Sequence, residues 1–375
     1  MDKKKLIMFS NIYKNKTVLV TGHTGFKGSW LTAWLLKLGA KVIGFSKGLP
    51  TNPSMFSEIG LEKHIKHIIA DIRDLKKLTQ VIADEKPDFV FHLAAQAIVS
   101  TSYTDPGDTM TTNVVGTMNV LEALRKHTEA CVAVMITSDK CYDNVEWIWG
   151  YRETDHLGGK DVYSGSKGAA ELVIKSYFHS FFQNEHPVKL AIGRAGNVIG
   201  GGDWAQDRIV VDCMRAWSEK RIVEIRSPQA TRPWQHVLEP LSGYLALGSA
   251  VAQKKELHGE AFNFGPRAEQ NHTVVELLHD LAKHWGFDNV DKAYKITADI
   301  PFHEAGLLKL NCDKALFYIK WESNLFYPET IHLVSDWYAA YYRKHGDMYS
   351  LTLDQISDYE QFGVERSRVW SESSN

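Results

Sequence analysis

The sequence predicts an α/β protein built on a doubly wound parallel sheet, with a second, smaller α+β part. Three observations support this prediction. Short apolar runs alternate with helix-like segments, a glycine-rich turn follows the first run, and the alternation weakens after about residue 200. Unbroken apolar strands between helices indicate a parallel sheet that is covered on both faces, and right-handed crossovers place helices on each side.

The expected elements of the first part follow one another in regular order. The first strand is the run 17–21, and a helix follows it from about residue 29 to residue 38, where Gly39 ends it. Further strands are expected at 42–45, 68–70, 89–93, 131–137 and 188–192, with helices at 75–83, 108–127 and 162–182.

The chain is expected to divide into two parts and a tail. The sheet-forming part spans residues 1–198, and residues 238–264 return to it as one more helix and strand. Residues 199–237 and 265–362 form the smaller part, which is richer in aromatic residues, arginine and proline. Residues 363–375 are polar and are predicted to form a tail.

Composition excludes several classes of function. Forty-three Lys and Arg against 45 Asp and Glu leave a net charge of −2, so no nucleic acid or membrane partner is expected. The four cysteines contain no CxxC pair, which argues against a disulfide framework and structural zinc and favours a reducing cytoplasm. The apolar run 6–9 is too short for a signal peptide, and no run approaches the ~18 residues of a membrane helix. His64 and His67 lack a third ligand, so no metal is expected.

The glycine-rich turn predicts a dinucleotide site. Gly22, Gly25 and Gly28 form a GxxGxxG pattern directly between the first strand and the first helix. Glycines there permit a tight turn, let the backbone approach a pyrophosphate and place that anion at the helix N-terminus. The alternative is an ordinary strand-to-helix turn without a ligand.

The adenosine end of this site is less clearly specified. The acid that binds the ribose 2′-hydroxyl normally ends the second strand, but this chain has Phe45-Ser46-Lys47 there, which leaves NAD against NADP open. Asp71, at the end of the third strand, is a candidate adenine contact. Its alternative role is a helix N-cap for residues from Arg73 onward.

A tyrosine and a lysine form a candidate catalytic pair. Tyr163 and Lys167 are four residues apart at the start of a helix, so both side chains lie on one helix face. The lysine charge can lower the pKa of the tyrosine, which then removes a proton from a substrate hydroxyl. The alternative is a Tyr/Lys pair on a solvated helix face.

Polar residues also end the fifth strand. Ser138, Asp139 and Lys140 follow it directly, at the sheet edge where doubly wound proteins bind ligands. A hydroxyl, a carboxylate and an ammonium in succession indicate catalysis, and the alternative is a polar loop with an Asx-turn.

Together these motifs resemble the extended short-chain dehydrogenase/reductases that act on nucleotide sugars, and more specifically the CDP-glucose 4,6-dehydratases. The resemblance extends from about residue 17 to beyond residue 321, and is strongest at 22–30, 138–144, 196–208, 232–244 and 303–311. Lys140 stands where the related dTDP-glucose dehydratases have glutamate. Asn311 stands where an aspartate is expected.

The resemblance implies a Rossmann-type NAD-binding domain (1–198 with 238–264) and a nucleotide-sugar-binding domain (199–237 with 265–362). The implied NAD contacts are Gly22, Thr24, Gly25, Phe26, Gly28, Asp71, Ile72, Ala94, Ala95, Tyr163 and Lys167. The implied substrate contacts are Gln96, Asn197, Arg208, Arg232 and His303.

The implied reaction removes water from CDP-glucose through a 4-keto intermediate, with a catalytic set of Ser138, Asp139, Lys140, Tyr163 and Lys167. Tyr163, supported by Lys167 and Ser138, takes the C4 hydroxyl proton, and Asp139 protonates the departing C6 hydroxyl. Lys140 is either the C5 base or a stabiliser of the enolate. The product would feed deoxysugar synthesis for surface polysaccharide such as the O-antigen of lipopolysaccharide.

Other functions and assembly states stay open at this point. Another nucleotide-sugar dehydratase, a 4-epimerase and a non-catalytic dinucleotide sensor are the alternatives. In relatives, the helices equivalent to 108–127 and 162–182 pair with those of a partner subunit, which implies a homodimer, with a tetramer as the alternative.

Overall fold

Strands and helices alternate along the first part of the chain as predicted. The computed structural model describes residues 6–225, 227–267, 270–297 and 308–373. The strands are β1 (Leu6–Met8), β2 (Thr17–Thr21), β3 (Lys41–Ser46), β4 (Lys66–Ile69), β5 (Phe89–His92), β6 (Cys131–Ile136), β7 (Val188–Ala195), β8 (Val223–Ile225), β9 (Thr231–Arg232), β10 (Ala261–Phe264), β11 (His272–Thr273), β12 (Tyr294–Ile296) and β13 (Ser371–Ser373).

Helices lie between and after these strands. They are α1 (Phe26–Lys37), α2 (Met55–Glu58), α3 (Leu75–Glu85), α4 (Val99–Thr104), α5 (Pro106–Met110), α6 (Gly116–Arg125), α7 (Val162–Tyr177), α8 (Ile209–Ser218), α9 (Leu238–Gln253), α10 (Val274–Trp285), α11 (Asp313–Ile319), α12 (Tyr327–Tyr342) and α13 (Met348–Glu365). Two π-helical turns, Thr111–Val115 and Phe178–Phe182, join α5 to α6 and extend α7. No helix among these described residues is long and apolar enough to cross a membrane.

Seven parallel strands form the central sheet, in the order β10-β7-β6-β5-β2-β3-β4. Alternate residues of β2 enter different cores: Val18 and Val20 pack on one face, and Leu19 packs on the other. Both faces are therefore covered, which explains why the strands read as continuous apolar runs. The prediction of a doubly wound parallel sheet is confirmed.

The strand order reverses at β2, and this reversal locates the ligand crevice. From β2 the chain proceeds to β3 and β4 on one side, and then crosses back to β5 on the other side. The chain consequently leaves β2 and β5 toward opposite sides of the sheet at its carboxyl edge, which is where ligands bind in doubly wound folds.

The second part of the chain packs against the sheet without a core of its own. Its small sheets pair β8 with β12 in parallel and β9 with β11 in antiparallel fashion. Between these segments, α9 and β10 return to the sheet, where β10 extends it beyond β7. Trp30 on α1 and Trp337 on α12 belong to one continuous hydrophobic cluster.

The C-terminal segment differs from the predicted polar tail. Helix α13 continues through Gly363 to Glu365, and β13 pairs with β1 in antiparallel fashion. Trp370 is buried, with its ring 5.3 Å from that of Phe9 and 5.6 Å from that of Tyr359. One buried tryptophan thus anchors a stretch whose remaining residues are largely polar, which is why composition alone indicated a tail.

Candidate active site

The glycine turn has no room for larger residues. Gly22 has a φ of +74°, and a Cβ there would lie 2.8 Å from the backbone N and Cα of Ala94. A Cβ on Gly28 would lie 2.1 Å from the Gly22 carbonyl oxygen. Gly25 is the N-cap of α1 and offers no side-chain acceptor to the first turn. The first-turn N–H groups of α1 thus face the crevice between β2 and β5, and they fit a bound pyrophosphate.

Two predicted cofactor contacts, Thr24 and Phe26, have internal partners. The Thr24 hydroxyl lies 2.7 Å from the Ser46 hydroxyl and donates to the Gly48 carbonyl at 2.6 Å. The Phe26 ring packs beneath Gly200, where an added Cβ would lie 3.0 Å from Cζ of Phe26. Both side chains therefore hold the turn in place, and their contact with a cofactor stays a prediction.

The carboxylate of Asp71 is hydrogen-bonded by the neighbouring Arg73. It accepts hydrogen bonds from the Arg73 backbone N at 2.8 Å and from Nη2 at 2.6 Å, and Arg73 lowers the pKa of Asp71. Arg73 Nη1 also donates to Asp108 at 2.8 Å, and Lys47 lies 3.8 Å from the same carboxylate. The alternative role of Asp71 as a helix cap is wrong, because Asp74 caps α3.

The remaining predicted cofactor residues line the crevice or support it. Ile72 is buried against Gly116 on α6. Ala94 and Ala95 are half-buried just after β5, and the Ala94 N–H donates to the Thr21 hydroxyl at 3.3 Å. Ala94 is the residue that approaches Gly22, so its small side chain keeps the two loops close.

Ser138, Asp139 and Lys140 lie on a tight turn after β6. Ser138 caps the 3₁₀ turn Asp139–Cys141: its Oγ donates to Asp139 Oδ1 at 2.8 Å and accepts from the Lys140 backbone N at 3.2 Å. Asp139 is buried and its Oδ2 faces the backbone of Gly196, where a Cβ would lie only 3.1 Å away. Lys140 is half-buried.

Tyr163 and Lys167 are both buried on α7, next to this turn. Lys167 Nζ lies over the Tyr163 ring, 5.9 Å from its centroid. The pKa of Tyr163 is raised to about 12, first by burial and second by the charge of Asp139, whereas Arg208 and a hydrogen bond with Ser138 lower it. The sequence predicted that Lys167 lowers the pKa of Tyr163. The structure instead shows a raised pKa, because burial and the carboxylate of Asp139 outweigh the effect of Arg208.

The charged groups Asp139, Lys167 and Arg208 form a cluster with two further residues, Lys27 and Asp203. The sequence analysis did not predict these two. Burial lowers the pKa of Lys27 to about 8, while Asp139 raises it and Arg208 lowers it. Burial raises the pKa of Asp203, and both Arg208 and Lys27 oppose that change. A lysine inside the glycine turn was the available signal for Lys27. Asp203 could not be predicted in this way, because an aspartate after three glycines is ordinary loop composition.

The predicted substrate residues are only partly brought together. Arg208, at the N-terminus of α8, is half-buried in the same charged cluster, and Asn197 is exposed just after β7. Arg232 lies on β9, where its Nη1 donates to the Thr231 carbonyl at 2.9 Å. Gln96 already donates from its amide nitrogen to the Ile98 carbonyl and the Thr109 hydroxyl, so a sugar would have to replace one of these bonds. His303 lies outside the described residues.

Among the described residues, no group of three His, Cys, Asp or Glu side chains is placed to hold a metal ion. His67, one half of the HxxH pair, instead bonds His23 through ring nitrogens 2.7 Å apart.

Comparison with known proteins identifies the family. The model of the family described as GDP-mannose 4,6 dehydratase matches residues 19–302. The chain belongs to this dehydratase family. CDP-glucose 4,6-dehydratase of Salmonella typhimurium is 45% identical over 353 residues, which are 93% of this chain and 97% of that protein. CDP-paratose 2-epimerase of Salmonella typhi is 26% identical, over 86% of this chain and 99% of that protein.

Solved structures of a dehydratase and of an epimerase share the fold. DesIV, a dTDP-glucose 4,6-dehydratase of Streptomyces venezuelae, superposes with a TM-score of 0.74 at 20% identity, covering 88% of this chain and 99% of that one. The epimerase Mth375 of Methanothermobacter thermautotrophicus gives 0.74 at 23% identity, covering 90% and 96%. The fold of this chain is therefore shared by a dehydratase and an epimerase.

Proposed function

We propose that the protein removes water from CDP-D-glucose and forms CDP-4-dehydro-6-deoxy-D-glucose. The observation that carries the proposal is the buried carboxylate of Asp139 beside Tyr163 and Ser138. A 4-epimerase needs no acid at C6, whereas elimination of water does. The 45% identity to CDP-glucose 4,6-dehydratase of Salmonella typhimurium supports CDP-glucose as the substrate.

NAD is the proposed cofactor, and the crevice fits it. Gly22 and Gly28 let the turn close tightly, because a Cβ at either position would meet backbone atoms at 2.8 or 2.1 Å, and Gly25 leaves the first turn of α1 without a side-chain cap. NAD supplies reversible hydride transfer, which lets the sugar be oxidised at C4 and later reduced at C6. Lys47 and Arg73 stand at the adenosine end, but Asp71 and Asp108 neutralise them in part, which favours NAD over NADP.

Tyr163 is the proposed base at the C4 hydroxyl. Burial and the charge of Asp139 raise its pKa, whereas Arg208 and the hydrogen bond with Ser138 favour the phenolate, and Lys167 lies over its ring. Oxidation at C4 is required because it makes the C5 hydrogen acidic, as the hydrogen α to a carbonyl.

Asp139 and Lys140 are proposed to act in the elimination. Asp139 must first take up a proton, and the ammonium of the adjacent Lys140 is the proposed donor. Asp139 then gives this proton to the leaving C6 hydroxyl, while Lys140 removes the C5 proton or stabilises the enolate. The two residues are adjacent on one turn whose cap is Ser138, so acid and ammonium are held in a fixed relation.

The substrate diphosphate is proposed to lie between Asn197, Arg208 and Arg232, with His303 completing the set. Arginine forks suit phosphate oxygens. Arg208 is best placed, since it is close enough to Tyr163 for its charge to lower the pKa of the tyrosine.

We further propose a homodimer. Apolar side chains remain exposed on α5, α6, α7 and the π turns between and after them: Met110, Val115, Met118, Leu172 and Phe181. A partner's equivalent helices would cover this face.

The measurement is light scattering of Leu172→Glu against the wild type, with Leu316→Glu on exposed α11 as the control. A wild-type dimer that becomes a monomer only with L172E supports the proposal, a wild-type monomer contradicts it, and a wild-type tetramer would show a second interface.

The proposed setting is the cytoplasm, in deoxysugar synthesis for surface polysaccharide. All four cysteines are free thiols, which fits a reducing compartment.

The function is tested by NMR of the purified protein with CDP-glucose and NAD in deuterated water. A 4-keto-6-deoxy product with deuterium at C5 is the expected result. Parallel runs with UDP-glucose and dTDP-glucose test the nucleotide: turnover of one of these but not of CDP-glucose would change the substrate and keep the mechanism. Binding of NAD without turnover of any of the three would favour a non-catalytic sensor.

A further inference from the structure

A buried ion pair lies next to the 138–140 turn and to the pair Tyr163 and Lys167. Glu171 is one helical turn beyond Lys167 on α7, and Arg194 is near the end of β7; both are almost fully buried. Arg194 Nε and Nη2 donate to the two carboxylate oxygens of Glu171 at 2.8 and 2.9 Å. The Thr137 hydroxyl donates to the same carboxylate at 2.5 Å.

The same arginine reaches the other end of the catalytic turn. Its Nη1 donates to the Tyr142 hydroxyl at 2.7 Å, and its guanidinium lies 5.0 Å from the centroid of the Tyr142 ring. The Tyr142 hydroxyl in turn donates to Asn263 Oδ1 at 2.8 Å. Thr137 precedes Ser138, Asp139 and Lys140, and Tyr142 follows them closely, so the ion pair holds the turn from both ends.

Glu171 also faces Lys167 electrostatically. The groups that interact with the Lys167 ammonium come from four elements. They are Tyr163 and Glu171 on its own helix, Cys141 on the 139–141 turn, His92 on β5 and Lys27 on α1. Burial keeps His92 neutral by lowering its pKa to about 3, and it raises the pKa of Cys141 well above the ordinary value. Lys27 repels an ammonium. Among these described neighbours, Glu171 therefore supplies the negative charge that opposes desolvation of Lys167.

Stability alone is a weak reason for such a pair, because buried ion pairs are often replaceable by apolar residues without loss. We propose that Glu171 is a positioning residue: paired with Arg194, it fixes the 138–140 turn from both sides and holds a carboxylate one helical turn from Lys167, next to Tyr163. This inference rests on the proposed dehydratase function and adds to it a residue that does not touch the sugar.

The test compares pH profiles of kcat/KM for CDP-glucose in the wild type, Glu171→Gln and Glu171→Asp. Burial lowers the pKa of Lys167 to about 8, and Cys141 and Glu171 both raise it. Loss of the Glu171 charge should lower that pKa further, so the alkaline limb of E171Q should move to lower pH by about one unit. E171D keeps the negative charge but shortens the side chain by one methylene. The alkaline limb of its pH profile should therefore stay at the wild-type pH, while its kcat should fall about tenfold because the turn is less precisely held.

Glu219→Gln is the matched control, because it removes a carboxylate from an exposed pair with Arg221. Folding of each variant is checked by circular dichroism. A folded E171Q with the wild-type alkaline limb, or E171D with the wild-type kcat, overturns the inference. If E171Q does not fold, E171D decides alone. A wild-type chain that does not turn over CDP-glucose counts against the proposed function instead.

Discussion

Ser138 Oγ donates a 2.8 Å hydrogen bond to Asp139 Oδ1, and Ser138 also bonds the hydroxyl of Tyr163. The serine thus connects Tyr163, the proposed base at C4, with Asp139, the proposed acid at C6. Asp139 in turn raises the pKa of Tyr163. The residues proposed for oxidation and for elimination therefore share one small network, and substitutions within it should separate the two steps.

Asp139→Asn should slow elimination and leave oxidation. Asparagine keeps the size of the side chain but has no acidic proton, so product formation should fall about 10²–10⁴-fold. Because a carboxylate beside Tyr163 is lost, the pKa of the tyrosine should fall and C4 oxidation should persist. Rapid mixing with CDP-glucose should then show NADH absorbance that builds up. Product formation within threefold of the wild type would remove Asp139 from the role of acid.

Tyr163→Phe should block both steps. Without the hydroxyl no base is present at C4, so neither NADH absorbance nor product should form, with a loss of about 10²–10⁴-fold. The ring and its packing remain, so the melting temperature should change little. Tyr318→Phe, on the exposed face of α11, is the control for loss of a hydroxyl. Activity of Y163F comparable to that of Y318F would contradict the proposed base.

The sequence predicted the sheet and the main motifs because both depend on local pattern. Apolar runs and the glycines around Gly22 report burial and turn geometry directly. The pairing of Asp71 with Arg73, the entry of Lys27 into the cluster and the burial of Trp370 depend on tertiary contacts that no local pattern contains. The raised pKa of Tyr163 is of the same kind, because burial and distant charges set it.

Lys140→Met should separate the two roles that remain open for Lys140. Methionine has a similar length and no basic nitrogen. If Lys140 is the C5 base, C4 oxidation should persist while exchange of the C5 hydrogen with deuterated water is lost. If it stabilises the enolate, exchange should slow in proportion to product formation. Exchange at the wild-type rate would exclude both roles.

Gly28→Ala should weaken NAD binding more than it affects the fold. The added Cβ would lie 2.1 Å from the Gly22 carbonyl oxygen, which is backbone and cannot move without opening the turn. The first-turn N–H groups of α1 would then no longer converge on the pyrophosphate, and we expect the dissociation constant for NAD, measured by calorimetry, to rise at least about tenfold. Gly107→Ala is the control, since its Cβ would meet only Asp105 at an ordinary 3.7 Å. An unchanged constant for G28A would place the pyrophosphate elsewhere and remove the glycine turn from the cofactor site.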